Sequence, residues 1–256
     1  MLYRSEGIIL RTQDFGEADK ITTIFTKSKG KISAVANGAR RVRNRLLGPT
    51  QIFTYARFIL LSGKNLDTIS QAEIINSNQE MRDDLEKMAY GMYVSELVDV
   101  FNEEGVASTE IFYLILDTFA LGNRGLFPLA TRAFELRLMK FLGYQPRLEN
   151  CLGCGIIPSE RIWFSREGGV LCANCKQQFT PVIELSLGAW ELMKRLLTSD
   201  FSRLSILRPS QQLLDEIEIA MRAYLDFRME RPLKSLPFLM SLCSPNGLTR
   251  RIEVNE

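Results

Sequence analysis

The first 78 residues consist of short runs in which apolar and polar residues alternate, the pattern of half-buried β-strands. The runs KITTIFT and KISAVANG are separated by the turn SKGK and predict a β-hairpin. The residues expected on one face of each strand are Ile21, Thr23 and Phe25, then Ile32, Ala34 and Ala36. Together with the apolar run RSEGIILRT and the later runs FTYARFILL and LDTISQAEII, they make four or five short strands, which predict a small closed barrel.

From about residue 79 the apolar residues recur at the spacing of helices. The first stripe is formed by Leu85, Ala89, Tyr93, Leu97 and Phe101. Further helices are predicted over IFYLILDTFAL, PLATRAFELRLMKFLGY, SLGAWELMKRLLTS and PSQQLLDEIEIAMRAYLDFRME. The second of these is apolar on most sides, so it is expected at the centre of a helical bundle, with Pro128 in its first turn and Gly143 as its C-terminal cap. The residues from about Ser244 onward are predicted to be a frayed tail.

The charge of the chain is uneven. Residues 1–64 carry 12 Lys and Arg against 4 Asp and Glu, whereas the other 192 residues carry 20 against 26. The imbalance predicts a module that faces a polyanion, attached to a mildly acidic body. The positive charge is densest at Arg40, Arg41, Arg43 and Arg45, which are expected in the connection between the second and third alternating strands. A basic surface that only faces solvent is the alternative.

Several function classes are disfavoured by what the sequence lacks. The chain has no histidine, so Ser-His-Asp and Cys-His arrangements are impossible, and we expect no enzyme. No apolar run reaches the ~18 residues of a membrane helix. The opening MLYRSEGIIL has no signal-peptide cleavage pattern, so a cytoplasmic protein is expected.

Four cysteines follow the spacing of a metal site. The segment CLGCGIIPSERIWFSREGGVLCANC is Cys-x2-Cys, 17 residues and Cys-x2-Cys: Cys151, Cys154, Cys172 and Cys175. Two such knuckles predict a tetrahedral zinc site with zinc–sulfur distances of about 2.3 Å, one zinc per chain. Four thiolates leave no open position for water, so the zinc is expected to be structural; spacing alone leaves iron or a redox role open. The fifth cysteine, Cys243, is expected to be a buried or incidental thiol.

The order of these pieces resembles the RecO family of bacterial recombination mediators. The resemblance rests on EGIILRTQDFGEADKITTIFTKSKGK, the GARR that follows, FELRLMKFLGYQP leading into CLGCG, and CANC. It implies an α+β fold with an N-terminal OB-fold over residues 1–78. It also implies a helical domain over residues 79–150 and 176–243, with a zinc-binding insertion over residues 151–175.

The resemblance also implies a function and a set of partners. RecO proteins bind single- and double-stranded DNA, anneal complementary strands, and bind RecR and the C-terminal tail of the single-strand-binding protein (SSB). They thereby assist RecA loading onto SSB-coated strands, which implies a nucleoid-associated protein without a membrane partner. The family places the SSB-tail site in the helical domain. Arg132, Arg137 and Lys140 on an apolar helix are candidate contacts, unless they simply face solvent.

The arginine cluster is the candidate DNA site, because guanidinium groups bind phosphate oxygens bidentately. The hairpin lysines Lys27, Lys29 and Lys31 are additional candidates, which alternation would place on one face if the turn keeps the register. The available aromatic residues are Phe15, Phe53 and Tyr55, each of which is more typical of a core than of a base-stacking platform.

Two other functions compete with a DNA-binding mediator. A zinc-stapled nuclease would need a carboxylate cluster for Mg²⁺. The acidic residues of the basic module match no metal-binding motif: Glu6, Asp14, Glu17 and Asp19. A zinc-ribbon transcription or translation factor that binds RNA is the alternative from a third class.

Overall fold

The computed structural model describes residues 1–243, which form two compact units. The first unit comprises Met1–Phe119 and Leu233–Cys243, and the second contains Ala120–Pro232. These units divide the chain at other points than the predicted domains do, because the first helices after the barrel belong to the barrel's unit. The fold class is α+β.

The N-terminal strands close into a five-stranded barrel, as predicted. The strands are β1 (Leu2–Phe15), β2 (Asp19–Thr26), β3 (Gly30–Ala36), β4 (Tyr55–Leu61) and β5 (Asp67–Asn76). Their order around the barrel is β1-β2-β3-β5-β4, and only the β3–β5 pair is parallel. The opening apolar run is itself a strand of 14 residues. The arginine cluster lies in the predicted connection between the runs KISAVANG and FTYARFILL, which are the third and fourth strands once the opening run is counted.

The barrel interior is filled by residues of every strand. The buried cluster includes Ile9, Ile24, Ile32, Ala34, Ala36, Phe58, Leu60 and Ile69. The face of β3 formed by Ile32, Ala34 and Ala36 lies in this cluster, whereas in β2 the cluster contains Ile24, on the face opposite Phe25. Phe25 is also fully buried, so both faces of β2 are covered. Alternation cannot identify the inner face of a strand whose two faces are both buried.

Four helices belong wholly or largely to the first unit. They are α1 (Gln79–Asp83), α2 (Leu85–Phe101), α3 (Thr109–Leu121) and α7 (Leu236–Cys243). The carboxylate of Glu96 in α2 accepts hydrogen bonds from the backbone N–H groups of Lys234 (2.9 Å) and Ser235 (2.7 Å), which fixes the start of α7. The eight residues of α7 were not predicted as a helix. The predicted frayed tail from Ser244 lies outside the described residues.

The loop between α2 and α3 runs beside the start of β3. The backbone N–H of Gly105 donates to the carbonyl of Lys31 at 2.9 Å. Gly30 has a φ of 63°, and a Cβ atom there would lie 1.8 Å from the carbonyl oxygen of Val106. Only glycine permits this approach, because a side chain would meet both a backbone clash and left-handed strain.

The second unit is a helical bundle with a small sheet. Its helices are α4 (Phe127–Phe141), α5 (Leu187–Thr198) and α6 (Gln211–Asp226), which pack against one another. Most side chains of α4 are buried, and Gly143 follows it with a φ of 83°, as predicted for a helix cap. Among the described residues, none of the helices combines the length and apolar character that crossing a membrane requires.

A three-stranded antiparallel sheet is formed by two strands within the cysteine segment and one strand that follows it. It comprises β6 (Ile162–Ser165), β7 (Gly169–Leu171) and β8 (Val182–Leu185), in the order β7-β6-β8. These strands have only three or four residues, which is too short for the alternation of apolar and polar residues to identify them. Because β8 follows Cys175, the sheet extends beyond the predicted insertion of residues 151–175.

Candidate nucleic-acid interface and metal centre

The arginine loop, residues 37–48, is a chain of turns held at both ends. Backbone hydrogen bonds run from Arg41 to Gly38 (2.9 Å) and from Asn44 to Arg41 (2.9 Å). Ala39 and Leu46 are buried in the barrel core. The loop is therefore fixed by its apolar residues, while all four arginines are exposed.

Arg40 differs from the other three arginines because it is tied to the β1–β2 turn. Its Nε lies 3.3 Å from the carboxylate of Asp14. Its guanidinium also donates to the carbonyls of Gly16 (3.2 Å) and Glu17 (3.3 Å), and its backbone N–H donates to Ala18 at 2.9 Å. The cluster therefore has an acidic neighbour in space although none interrupts it in sequence, and Arg40 anchors the loop.

The remaining arginines are the open cations of the loop. Within residues 1–243, Arg41, Arg43 and Arg45 form no ion pair. Val42 between them is 88% exposed, so this stretch projects into solvent. Three uncompensated guanidinium groups on one short, anchored loop can contact several phosphates at once.

The hairpin turn does not keep the strand register, so the condition under which its lysines were expected to share one face is not met. Lys27 donates to the hydroxyl of Tyr113 in α3 at 2.7 Å. Lys29 lies 3.6 Å above the ring of Tyr3 in β1. Strand β2 ends at Thr26 and β3 begins at Gly30, so both lysines lie in the turn between them. Each binds a different element of the first unit.

Lys31 is held in an ion pair with a helix of the first unit. Its Nζ lies 3.2 Å from the carboxylate of Asp99 in α2, and its side chain is only 12% exposed. Its charge is therefore already compensated inside the first unit. An ion pair this far buried serves packing of the helix on the barrel better than it serves contact with phosphate.

The predicted cations fall into two groups at opposite ends of the β2–β3 hairpin. Lys20 pairs with Ala36 at one end, and Thr26 pairs with Gly30 at the other. Six residues of strand separate these ends by about 20 Å. The arginine loop follows Ala36, so it lies at the same end of the hairpin as Lys20. The sequence did not single out Lys20, because it is an isolated cation that directly follows the acidic Asp19.

The three aromatic candidates differ in exposure. Phe15 ends β1 and is 49% exposed. Phe53 is fully buried and packs edge-on against Phe119, with ring centroids 5.6 Å apart. Tyr55 is half-buried and donates a hydrogen bond to Glu6 at 2.7 Å. Burial and this bond raise the pKa of Tyr55 to about 12. Of the three, Phe15 alone offers a largely open ring.

The four cysteines converge in the second unit. Their sulfur atoms all lie within 4.8 Å of one another, and those of Cys154 and Cys172 are 3.8 Å apart. A tetrahedral site with zinc–sulfur bonds of about 2.3 Å has sulfur–sulfur edges of about 3.8 Å. A disulfide would require about 2.05 Å. The arrangement is compatible with a four-coordinate metal site.

The environment of the cluster acts in opposite directions on two of its thiols. Cys151 and Cys175 are buried against Trp163 and Leu171. Burial acts to raise the pKa of the Cys151 thiol, but backbone N–H groups, including that of Cys172, point at its sulfur and lower the pKa to about 6. Burial and the neighbouring thiols raise the pKa of Cys175 to about 12. A divalent cation would stabilise all four as thiolates.

Arg132 and Arg137, two candidate contacts for the SSB tail, bind residues of their own unit instead. Arg132 is buried and pairs with Glu135 (2.9 Å) and Glu218 (3.6 Å). Arg137 donates to backbone carbonyls at the end of α5. Neither is therefore an outward contact or a solvated cation, as the sequence had suggested, and only Lys140 is exposed.

The fifth cysteine belongs to a different compact unit from the four clustered cysteines. Cys243 ends α7, belongs to the first unit and is half-buried. The four clustered cysteines belong to the second unit. Cys243 is therefore a useful reference thiol for experiments on the cluster.

A closed basic barrel joined to helices and a cluster of four cysteines defines a modular class of protein with a candidate metal site, and comparison with known proteins identifies the family. The family model for the recombination protein O N terminal matches residues 1–78, and that for its C terminal matches residues 82–237. The chain belongs to the RecO family of DNA repair proteins.

Individual relatives agree over nearly the whole chain. DNA repair protein RecO of Symbiobacterium thermophilum is 43% identical over 250 residues, which cover 95% of this chain and 98% of the relative. The protein of the same name from Pelotomaculum thermopropionicum is 37% identical over 239 residues, 93% of each chain. That of Desulforamulus reducens is 33% identical over 247 residues, 96% of each chain.

Proposed function

We propose that this chain binds single- and double-stranded DNA, anneals complementary strands, and acts with RecR to assist RecA loading onto SSB-coated DNA. The observation that carries the proposal is the arginine loop, where Arg41, Arg43 and Arg45 are exposed and uncompensated among the described residues. Membership of a DNA repair family supports DNA as the polyanion. Such activity would place the protein on the nucleoid.

The loop suits annealing because it recognises the backbone. Guanidinium–phosphate contacts release condensed counterions and carry no base identity. Two strands whose charges are neutralised on one protein can approach each other with their bases free to pair. No bond is made or broken, so the protein would act as a mediator and not as an enzyme.

The acidic residues of the barrel support this choice over a nuclease. Asp14 pairs with Arg40, and Glu6 accepts a hydrogen bond from Tyr55. Asp19 accepts a hydrogen bond from the backbone of Gly38 at 2.6 Å. Carboxylates that already hold the loop and the strands together are poorly placed to share a Mg²⁺ ion.

We propose that the cysteine cluster binds one structural Zn²⁺ per chain. Cys151, Cys154, Cys172 and Cys175 would be its four ligands, and the sulfur spacing supports tetrahedral coordination. When bound, the ion would cross-link the two Cys-x2-Cys knuckles. The chain's own residues exclude water from one side of the cluster, where Trp163 and Leu171 are buried.

The proposal is tested with complementary, fluorescently labelled DNA strands. The full chain should accelerate their annealing, and unlabelled DNA should compete for binding at least as well as RNA of the same sequence. Strand cleavage in Mg²⁺ or Mn²⁺ would point to a nuclease instead. Much tighter binding to RNA, without DNA annealing, would support the zinc-ribbon RNA-binding alternative.

A groove in the second unit is the better candidate for the SSB tail, now that Arg132 and Arg137 prove to be structural. The groove has a volume of about 240 Å³ and lies between α5 and the segment leading into α6. It is lined by Leu192, Leu207 and Leu213 and by the charged residues Arg195, Arg208 and Glu191, the last of which pairs with Lys194. A lining of leucines with two arginines against one glutamate is complementary to an acidic peptide that ends in apolar residues.

Reversing the charge at the groove should weaken this contact. Arg195→Glu is expected to reduce affinity for an SSB tail peptide about tenfold, because attraction becomes repulsion. Fluorescence anisotropy of the labelled peptide measures the effect. Lys140→Glu, an exposed position on α4, is the matched control. Loss of binding in the control but not in Arg195→Glu would return the site to α4.

A further inference from the structure

One surface of the second unit combines exposed aromatic rings with guanidinium groups. It is distinct from the arginine loop, which belongs to the first unit. We call it the stacking patch: Tyr144, Arg166, Phe227 and Arg228. Tyr144 is 55% exposed and Phe227 is 51% exposed. The guanidinium carbon of Arg228 lies 5.9 Å from the centroid of each of these rings, so both rings belong to one surface.

The patch is held rigidly by the elements beneath it. Arg228 lies 3.8 Å above the ring of Tyr224 in α6 and donates to the carbonyls of Arg166 (3.1 Å) and Glu167 (2.8 Å) in the β6–β7 turn. The hydroxyl of Tyr224 donates to the carbonyl of Tyr144. The rings are therefore presented by fixed supports and lose little conformational entropy on binding a ligand.

The geometry of the patch favours flat, unsaturated ligands. Arg166 lies over Phe227, with its guanidinium carbon 5.0 Å from the ring centroid. Aromatic rings and guanidinium planes are the groups on which nucleobases stack in single-strand-binding proteins. Two half-exposed rings in one patch provide places for about two bases.

The local charge indicates that stacking outweighs attraction to phosphate here. The exposed cations Arg147 and Arg166 are accompanied in the chain by the exposed acids Glu149 and Glu167. These four charges cancel, and Arg228 and the exposed Asp226 add one charge of each sign, whereas the arginine loop carries an excess of positive charge. Binding at the patch should therefore depend on the presence of bases and only weakly on salt.

We propose that the stacking patch is a second binding site for single-stranded DNA, in which bases stack on Tyr144 and Phe227. This inference rests on the proposed annealing function and deepens it. Annealing brings two strands to one protein; the arginine loop holds a backbone, and the patch holds bases. Because the patch takes only about two bases, the rest of that strand stays free to pair.

Photo-cross-linking locates the bound bases directly. An oligothymidine strand substituted with 5-iodouracil is irradiated with the full-length chain, and adducts are mapped by mass spectrometry. Adducts are expected at Tyr144 or Phe227, at both low and high salt. Unmodified oligothymidine should compete for them, whereas an abasic strand of equal length should not, because it offers phosphates without bases.

Annealing kinetics provide the second measurement. The double variant Tyr144→Ala/Phe227→Ala should slow annealing about tenfold, in keeping with stacking of one or two bases. The conservative pair Tyr144→Phe/Phe227→Tyr keeps both aromatic rings and should anneal at the rate of the unmodified chain. That result would attribute the slower annealing of the alanine variant to the missing rings and not to misfolding. Ile156→Ala/Ile157→Ala, which removes two exposed apolar side chains from the same unit, should leave the rate unchanged.

The outcomes separate this proposal from the proposed function. Adducts confined to residues 1–78, with a normal annealing rate in the double alanine variant, would overturn the stacking patch and leave the function intact. The absence of adducts on every residue, together with no annealing by the unmodified chain, would overturn both. An equal loss of annealing in the isoleucine variant would also overturn the patch.

Discussion

Replacing Arg41, Arg43 and Arg45 with alanine is expected to flatten the salt dependence of DNA binding by about 2 to 3 units of slope. Each phosphate contact contributes about 0.7 to the slope of log affinity against log salt on single strands and about 0.9 on duplex. The affinity should fall by a similar factor for every sequence, because phosphates carry no base identity. Annealing should fail as well. Binding titrations at several salt concentrations measure the slope.

The fold should survive this triple substitution, because the loop is held by Ala39, Leu46 and Arg40. Arg57→Ala is a suitable control, since Arg57 is an exposed barrel arginine that pairs with Glu73 at 2.8 Å. Its slope should match that of the unmodified chain. An unchanged slope in the triple variant would show that the loop is not the DNA site, and Lys27 and Lys29 would become the next candidates.

Arg40 should behave differently from its three neighbours. Its guanidinium binds Asp14 and two carbonyls of the β1–β2 turn, so its removal loosens the loop as well as removing a charge. The sequence grouped the four arginines because they are adjacent. Their division into one anchor and three cations without an ion pair among the described residues depends on Asp14, 26 positions from Arg40, which charge counting along the chain cannot detect.

The parts of the fold that could be predicted are those with a local cause. Alternation identified the barrel strands, and the capping glycine Gly143 ended α4 as expected. The four-cysteine cluster was predictable because each Cys-x2-Cys turn brings its own two ligands together. The short sheet around the cluster was not, because β7 has only three residues.

The parts that could not be predicted depend on contacts between distant segments. Lys31 and Asp99 are 68 residues apart in sequence, yet their ion pair removes Lys31 from the accessible cations. The sequence around Arg132 is typical of a surface charge on an apolar helix, but in the structure its guanidinium lies 3.6 Å from the carboxylate of Glu218. The stacking patch likewise combines a turn, a helix end and the segment after α4, none of which has a distinctive sequence pattern.

Removing one cysteine of the cluster should have the largest effect on stability. The purified chain is expected to carry about one zinc, and Cys172→Ser should lose it because three thiolates no longer complete the tetrahedron. Cys172 is only half-buried, so its substitution costs little packing and the effect reports on the metal. Metal analysis and thermal melting should show the zinc lost and Tm lowered by ~10 °C.

The salt slope of DNA binding should hardly change in Cys172→Ser at a temperature where the variant remains folded, because the arginine loop belongs to the other unit. Cys243→Ser is the matched control, since Cys243 is also half-buried but belongs to the first unit. It should retain one zinc and an unchanged Tm. Full stability of the unmodified chain after complete removal of its metal would show that the cluster does not staple the fold, whatever ion it binds.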